Sequence, residues 1–431
     1  VTGSGEQANR TADLVARRSY GKLIAFLASR TRDVALAEDA LAEAFAAALS
    51  AWPRDGCPEN PEAWLLTAAR RKLIDGERGR RRHELAAGQL RILAEGFQPA
   101  AAAFPDRRLA LLFACAHPSI DAGVRAPLML QVVLGLDAKV IASAFLTSPA
   151  AMSKRLVRAK DKIRQAGIPF RVPEREELPA RLEAVLDAIY AAYSEGWTDP
   201  AGIGVASGDL TEEAIFLARV VHDLLPDAPE TMGLLAFMLH AEARRRARRG
   251  ADGEYVPFVE QDVNRWDFPM IEEAESLLRR AATFGAIGRY QLEAALQSAH
   301  VHRRCSGRTN WEDVVRIYDA LQALVSSPVV SMNRALAIAE VQGPEAGLKE
   351  LSGVANDPRL AGYQPYWAVR AELLARAHNY ADAREAYENA IGLERDSAVR
   401  RFLQRRQAQL PATPPESRAA PARTDDLHRE E

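Results

Sequence analysis

The 431 residues carry 56 Lys+Arg against 58 Asp+Glu, a formal net charge of −2, with 48% hydrophobic and 26% charged residues, the proportions of a soluble protein of about three domains. No apolar stretch approaches the roughly 20 residues that span a bilayer, and the polar start, Val1 to Asp13, lacks the basic-then-apolar order of a signal peptide. Three scattered cysteines, Cys57, Cys115 and Cys305, argue for a reducing cytoplasm and against a disulfide framework or a Cys-rich zinc site.

The near-neutral total conceals a split. Residues 1–172 hold 26 Lys+Arg against 17 Asp+Glu, and the remainder holds 30 against 41. A basic third joined to an acidic remainder predicts a nucleic-acid-binding part attached to one that does not bind nucleic acid. Ala, Leu, Arg and Glu dominate and β-branched runs are scarce, so an all-α fold is expected.

In chain order, helical periodicity runs from Thr11 to Thr31. A second helix is expected from Asp33 to Trp52, with Leu41, Phe45, Leu49 and Trp52 on one stripe and Pro53 as its stop. On it Asp39 and Glu43 are one turn apart and share a face, with Glu38 beside them. Such a face can dock on a basic helical surface, although a lone acidic face is more often merely solvated. Asn60-Pro61 then supplies an N-cap and a first-turn proline. The third helix runs to about Arg82, with Leu66, Ala69 and Leu73 as its buried stripe. Arg71, Arg78 and Arg82 fall on one face, a row suited to tracking phosphates, and Trp64 or an adjacent apolar pocket suits an unstacked base. A basic surface helix with no nucleic-acid role is the competing reading.

Residues 84–104 read as a linker. A second helical block covers Pro105 to Phe170, within which Asp137 caps a short helix through Phe145, Thr147-Ser148 turns the chain, and Pro149 opens the next helix. There Met152, Leu156, Ala159 and Ile163 form the inner stripe, while Ser153, Lys154, Arg155, Arg158 and Lys162 lie opposite. A helix that reads the major groove requires this division. Pro169, Pro173 and Pro179 mark a boundary. Amphipathic helices follow to Leu410, and Pro411 to Glu431 has the composition of a disordered tail. Trp367, Leu374, Tyr380, Ala383, Tyr387 and Ala390 recur as in a tetratricopeptide-type helical hairpin. Weaker echoes around Trp311–Tyr318–Leu321 and Ala335–Gly347–Leu351 place Tyr318, Leu351 and Tyr387 33 and 36 residues apart, a period suited to a solenoid of helix pairs.

An acidic helix, a Trp-plus-basic helix, a linker and a helix-turn-helix, in that order, resemble a bacterial RNA polymerase sigma factor of the extracytoplasmic-function type. Ala37-Glu38-Asp39…Glu43-Ala44-Phe45 resembles the part of region 2 that binds the polymerase β′ coiled coil. Trp64-Leu65…Ala68-Ala69-Arg70…Asp75…Arg78…Arg82 is similar to the part that melts and reads the −10 element. Leu134-Gly135-Leu136…Ile141-Ala142…Met152-Ser153-Lys154-Arg155-Leu156-Val157-Arg158-Ala159-Lys160 is similar to region 4, which reads the −35 element. The remainder resembles the C-terminal extension of one sigma subfamily, through Gln261-Asp262…Arg265-Trp266-Asp267 and Ser327-Pro328-Val329-Val330…Asn333-Arg334-Ala335. Ala42 stands where a Gln is common, and Lys139 where an acidic residue is common; each bears on affinity rather than on role.

The resemblance implies region 2 over 11–83, a linker over 84–104, region 4 over 105–170, a tetratricopeptide-like extension over 171–410 and a disordered tail over 411–431. It implies core-polymerase contacts by Glu38, Asp39, Glu43 and Phe45. Contacts to the −10 element are implied for Trp64, Arg70, Arg71, Lys72, Arg78 and Arg82, and contacts to the −35 element for Ser153, Lys154, Arg155, Arg158 and Lys162. The implied partners are the polymerase β and β′ subunits, promoter DNA and a regulatory protein on the extension, in the cytoplasm and without a membrane. Neither an enzymatic activity nor a cofactor is implied. A helix-turn-helix regulator with a helical sensor domain is the alternative, and it has no need of the acidic helix. Other chemistry finds little support: His300 and His302 do not share a helix face beside Cys305, and no fourth ligand stands near, so no metal site is expected. His240 with Glu242 lacks a second His at metalloprotease spacing.

Overall fold

The computed structural model describes residues 2–81, 106–145, 147–174, 176–197, 205–302, 307 and 309–411. The expected linker 84–104 and all but the first residue of the expected tail 411–431 lie outside the described residues, as does Cys305. Among the described residues the fold is all-α, with short 3-10 turns and a single antiparallel bridge between Arg249 and Tyr255. The chain forms two compact units. One comprises Val1–Arg246 with Asp262–Val301, the other Ala247–Gln261 with His302–Glu431.

The first unit opens with a three-helix bundle, α1 (Thr2–Thr31), α2 (Val34–Asp55) and α3 (Pro61–Arg81). The Asp33 carboxylate accepts from the Leu36 N–H at 3.1 Å and starts α2, as an N-cap should. Two expectations for α2 are corrected. Pro53 does not stop it; the helix runs to Asp55 and ends at Gly56, whose φ of 87° suits glycine and whose N–H bonds the Trp52 carbonyl at 3.0 Å. A proline in the last turn removes one hydrogen bond near a helix end rather than in mid-ladder. The buried stripe is Ala37, Ala40, Leu41, Ala44, Ala48 and Trp52, while Leu49 is 49% exposed. Small alanines admit α1 and α3 closely and so shift the contact line away from Leu49. In α3, Asn60 caps through its Oδ1 to the Ala63 N–H at 3.0 Å, and Leu65, Leu66, Ala69 and Leu73 are buried.

The next block holds α4 (Arg108–Cys115), α5 (Ala122–Val132), α6 (Ala138–Ala144) and α7 (Pro149–Gln165). Helix α5 buries Val124, Ala126, Pro127, Leu128, Met129, Leu130 and Val132, because it packs on α7 and also on α8 (Pro179–Trp197). Beyond α8 come α9 (Val205–Leu224), α10 (Pro229–Glu242), α11 (Phe268–Ala282) and α12 (Arg289–Val301), with α10 packed on both α11 and α12. One hydrophobic cluster runs through all three blocks, from Ala8 and Leu23 through Leu128, Leu156 and Ile189 to Leu235 and Ala294. The division expected at 171 therefore does not coincide with a boundary between compact units.

The second unit contains α13 (Trp311–Leu324), α14 (Pro328–Gln342), α15 (Pro344–Ser352), α16 (Pro358–Ala361), α17 (Gln364–Arg376), α18 (Tyr380–Leu393) and α19 (Ser397–Ala408). Consecutive helices pack in pairs, α13 on α14, α14 on α15 and α17 on α18. Arg334 joins three of them, reaching Asp319 at 2.6 Å and Glu350 at 2.7 Å. Gly347 allows α14 and α15 to meet closely, since a Cβ there would lie 2.6 Å from that of Ala339. Leu374, Ala383, Tyr387 and Ala390 share one core cluster, as the repeat spacing implies, with Trp367 packed against it. Leu351 is buried, whereas Tyr318 is half-buried. Residues 247–261 fold with this unit: Glu254 pairs with Arg401 at 2.6 Å and Arg405 at 2.9 Å, Arg249 with Asp396, and Tyr255 meets Phe402 edge-on at 5.4 Å.

Candidate nucleic-acid interface

The acidic residues of α2 do not stand as one free patch. Asp39 is exposed. Glu43 is exposed and pairs with Lys72 of α3 at 2.9 Å. Glu38 turns inward: its carboxylate meets the Lys160 ammonium of α7 at 2.6 Å, with side chains only 17% and 12% exposed. Phe45 is half-buried against the core. Burial raises the Glu38 carboxyl above the ordinary glutamate range, and the Lys160 charge offsets this only in part.

On α3, Trp64 is half-buried and packs edge-on against Trp52, ring centroids 5.6 Å apart. Arg70 is half-buried, while Arg71 and Lys72 are exposed. Arg78 lies within α3 with its side chain outside the described residues, and Arg82 lies outside them altogether. The structure thus brings Glu43 and Lys72 together, an acidic and a basic site residue from neighbouring helices, and leaves Arg71 facing water.

Asp137 and Ser148 position the third group. The Asp137 carboxylate accepts from the Lys139 N–H at 3.0 Å, and the Ser148 hydroxyl accepts from the Ala151 N–H at 3.3 Å, with Pro149 in the first turn of α7. Met152, Leu156, Ala159 and Ile163 are buried; Ser153, Lys154, Arg155, Arg158 and Lys162 are exposed. Packing inward and presenting cations outward, α7 can meet phosphates and base edges without rearranging its own core. Val157 shares that outward side and is 60% exposed. Sequence reasoning passed over it because an apolar residue off the buried stripe carries no signal by itself.

It also missed the partners of α2 across the fold. Lys160 and Arg164 stand at the margin of the inner stripe of α7, and Arg164 reaches Asp33 at 3.7 Å. Their sequence positions show charge but not which helix they face. Nearby, α1 closes on the end of α5: a Cβ on Gly21 would collide with the Val133 carbonyl, and one on Gly135, whose φ is 69°, would lie 2.9 Å from the Tyr20 ring.

The marks of the C-terminal part have structural work of their own. The Asp267 carboxylate accepts from the Met270 N–H at 3.1 Å and caps α11; Trp266 is buried; the Asp262 carboxylate accepts from the Asn264 N–H at 2.9 Å. Among the described residues, no cluster of His, Cys, Asp and Glu is arranged to hold a metal ion, and no helix is long and apolar enough to cross a membrane.

Comparison with known proteins covers part of these elements. Residues 15–83 match the Sigma-70 region 2 family, and residues 181–282 match a family of unknown function, DUF6596. The chain is similar to an uncharacterized protein of Rhizobium meliloti (strain 1021), 37% identical over 391 residues that cover 89% of this chain and 92% of that relative. No solved structure matches.

Proposed function

Because the chain belongs to the family of this Rhizobium meliloti relative and carries a sigma-70 region 2 domain, we propose that it is a sigma factor of the extracytoplasmic-function type. In this reading it binds core RNA polymerase through region 2 and directs promoter-specific initiation. The observation that carries the reading is the region 2 match followed in the same compact unit by α6 and α7, a capped short helix, a turn and a helix with a cationic outward face. Region 2 supports a sigma-factor role in transcription initiation, with binding to core polymerase and promoter DNA; the sigma-70 family is not enzymatic.

Each group of residues takes one task. Asp39 and Glu43 on α2, with Phe45 beneath, form the docking face for core polymerase. Arg71 and Lys72 on α3 track phosphates near the −10 element, as part of the basic run that the sequence continues to Arg78 and Arg82, and Trp64 on the same helix packs edge-on against Trp52. On α7, Arg155 and Arg158 read base edges of the −35 element, Lys154 and Lys162 hold phosphates, Ser153 adds a hydroxyl, and Val157 suits a thymine methyl. Strand opening uses binding energy, so no cofactor takes part.

The helices after residue 179 brace region 4, a role supported by the packing of α8 on α5. The α13–α19 unit, read as tetratricopeptide-like, is a platform for a regulatory protein. Titration of the full chain with purified core polymerase tests the assignment: a saturable complex is expected, weakened by Asp39→Lys with Glu43→Lys while the melting temperature holds. A chain that ignores core polymerase yet binds an operator duplex tightly is a conventional helix-turn-helix regulator instead.

A further inference from the structure

Three arginines follow one another just after α10, and two of them are committed within the fold. Arg244 is buried and donates to the His240 carbonyl at 3.2 Å and to the Gln297 side chain. Arg245 pairs with Glu242 at 2.7 Å and donates to the Thr211 hydroxyl at 2.9 Å. Arg246 is exposed, and its guanidinium has neither an ion pair nor a hydrogen-bond partner among the described residues.

The segment before α11 is pinned beside it. The Asp262 carboxylate accepts from the Asn264 N–H at 2.9 Å, and the Asp267 carboxylate accepts from the Met270 N–H at 3.1 Å. The Asp267 N–H in turn donates to the Ala243 carbonyl at 2.9 Å, which ties the segment to the end of α10. Arg246, Asn264, Arg265, Trp266 and Asp267 together line a cavity of about 350 Å³, and all five belong to the first compact unit. Capping accounts for Asp262 and Asp267. It accounts neither for the cavity nor for the unpaired Arg246 on its wall.

We infer that this cavity binds a small organic anion, a phosphate or carboxylate that also carries a hydroxyl or amine. Its volume falls within the range of small-molecule sites, roughly 300–1,000 Å³. The planar fork of a guanidinium matches two oxygens of a carboxylate or phosphate, and the cavity offers two such groups, Arg246 and Arg265, from separate stretches of chain. Asp267 supplies selectivity: its carboxylate repels a bare dianion and accepts a hydrogen bond from a hydroxyl or amine on the ligand. The Asn264 amide can donate or accept, and Trp266 gives the carbon skeleton an apolar wall. Such a site gives the C-terminal part a direct chemical input, whether or not the chain docks on polymerase.

The test uses the full chain labelled with 5-fluorotryptophan, at neutral pH and constant ionic strength. Its probes are inorganic phosphate and sulfate, which share a shape but not the acidic hydroxyl, and malate and succinate, which differ by one hydroxyl. The ¹⁹F resonance of Trp266, assigned by its loss in Trp266→Phe, should shift saturably with phosphate or malate in the millimolar range or below. Saturation by phosphate alone identifies a phosphate ligand, and saturation by malate alone a carboxylate. Sulfate and succinate should bind at least about tenfold more weakly, and Arg246→Gln should weaken binding by at least about tenfold. The exposed position of Arg246 leaves the melting temperature nearly unchanged in that variant. Calorimetry on unlabelled protein should report the same affinities. No saturable response to any probe, an equal response to sulfate and succinate, or binding unaffected by Arg246→Gln overturns the site.

Discussion

Gly21 of α1 lies so close to the carbonyl of Val133 that no other residue fits between the two backbones. The two residues come from segments that the sequence separates into different modules, yet they share one core. Their contact makes a sign prediction. In the interior of an isolated helix, Gly→Ala should stabilise by roughly 0.5–1 kcal/mol. Here Gly21→Ala should instead destabilise, by about 1–3 kcal/mol as overpacked contacts do. Urea unfolding of the full chain settles it, because a gain in stability places α1 away from α5.

The Lys72–Glu43 pair is exposed on both sides and should contribute little, about 0.2–1 kcal/mol at most. Lys72→Ala should therefore leave the melting temperature nearly unchanged while slowing promoter opening. Permanganate footprinting of the melted strand, compared with duplex binding before melting, separates the two effects. Normal opening by Lys72→Ala and by Arg71→Ala would remove this face of α3 from the −10 contacts.

For α7, Arg155→Ala and Arg158→Ala should each lower −35-dependent initiation by about 1–3 kcal/mol and relax preference at one position. Lys154→Ala should weaken binding at all sequences and flatten its dependence on salt. Val157→Ala should erase discrimination between thymine and uracil at a single site, since the two differ only by the methyl group. Competition binding with substituted −35 duplexes reads all four.

Glu38 gives the pH prediction. The groups facing it are Tyr20, Cys115 and Lys160 from the neighbouring helices and Asp39 on its own. Its carboxyl is raised in the folded protein, so between its unfolded and folded values the native state binds more protons than the unfolded one. Stability from this group is accordingly present below the unfolded value and is lost as pH rises through the folded value. Lys160→Ala should push the folded value further up and widen that window. Carboxyl ¹³C titration of glutamate-labelled protein tests this, and a Glu38 resonance titrating at or below the free glutamate range would contradict it.

Truncation separates the compact units. Ending the chain at Phe170 removes α8 and uncovers α5, whose Leu128, Met129 and Val132 are fully buried; that fragment should aggregate or lose its cooperative melt. Ending it at His302 keeps α8–α12 and should preserve a cooperative transition, seen by calorimetry. A stable fragment ending at Phe170 would mean that the helices after 179 do not brace the α4–α7 block.

Much of this was legible in the sequence wherever a local rule decides the outcome. Asn60 and Asp137 cap helices as short polar residues before apolar periods should, the inner stripe of α7 follows from its spacing alone, and Ser148, expected only as part of the turn, also caps α7. Leu49 and Pro53 were misread because the contact line of an alanine-rich helix depends on which neighbour approaches, and a proline near a helix end is tolerated. The pairing of Glu38 with Lys160 joins positions 122 residues apart, and no periodicity reports such a contact. The common core of the three blocks was hidden for the same reason: prolines at 169, 173 and 179 mark a bend in the chain whether or not packing continues across it.

The most direct test is run-off transcription from a promoter library with purified core RNA polymerase and the full chain. The account predicts initiation at a subset of promoters sharing −35 and −10 elements, absent with core alone and lost on the Asp39→Lys, Glu43→Lys double exchange. Core polymerase that initiates no more specifically with the protein than without it would contradict the assignment as a sigma factor.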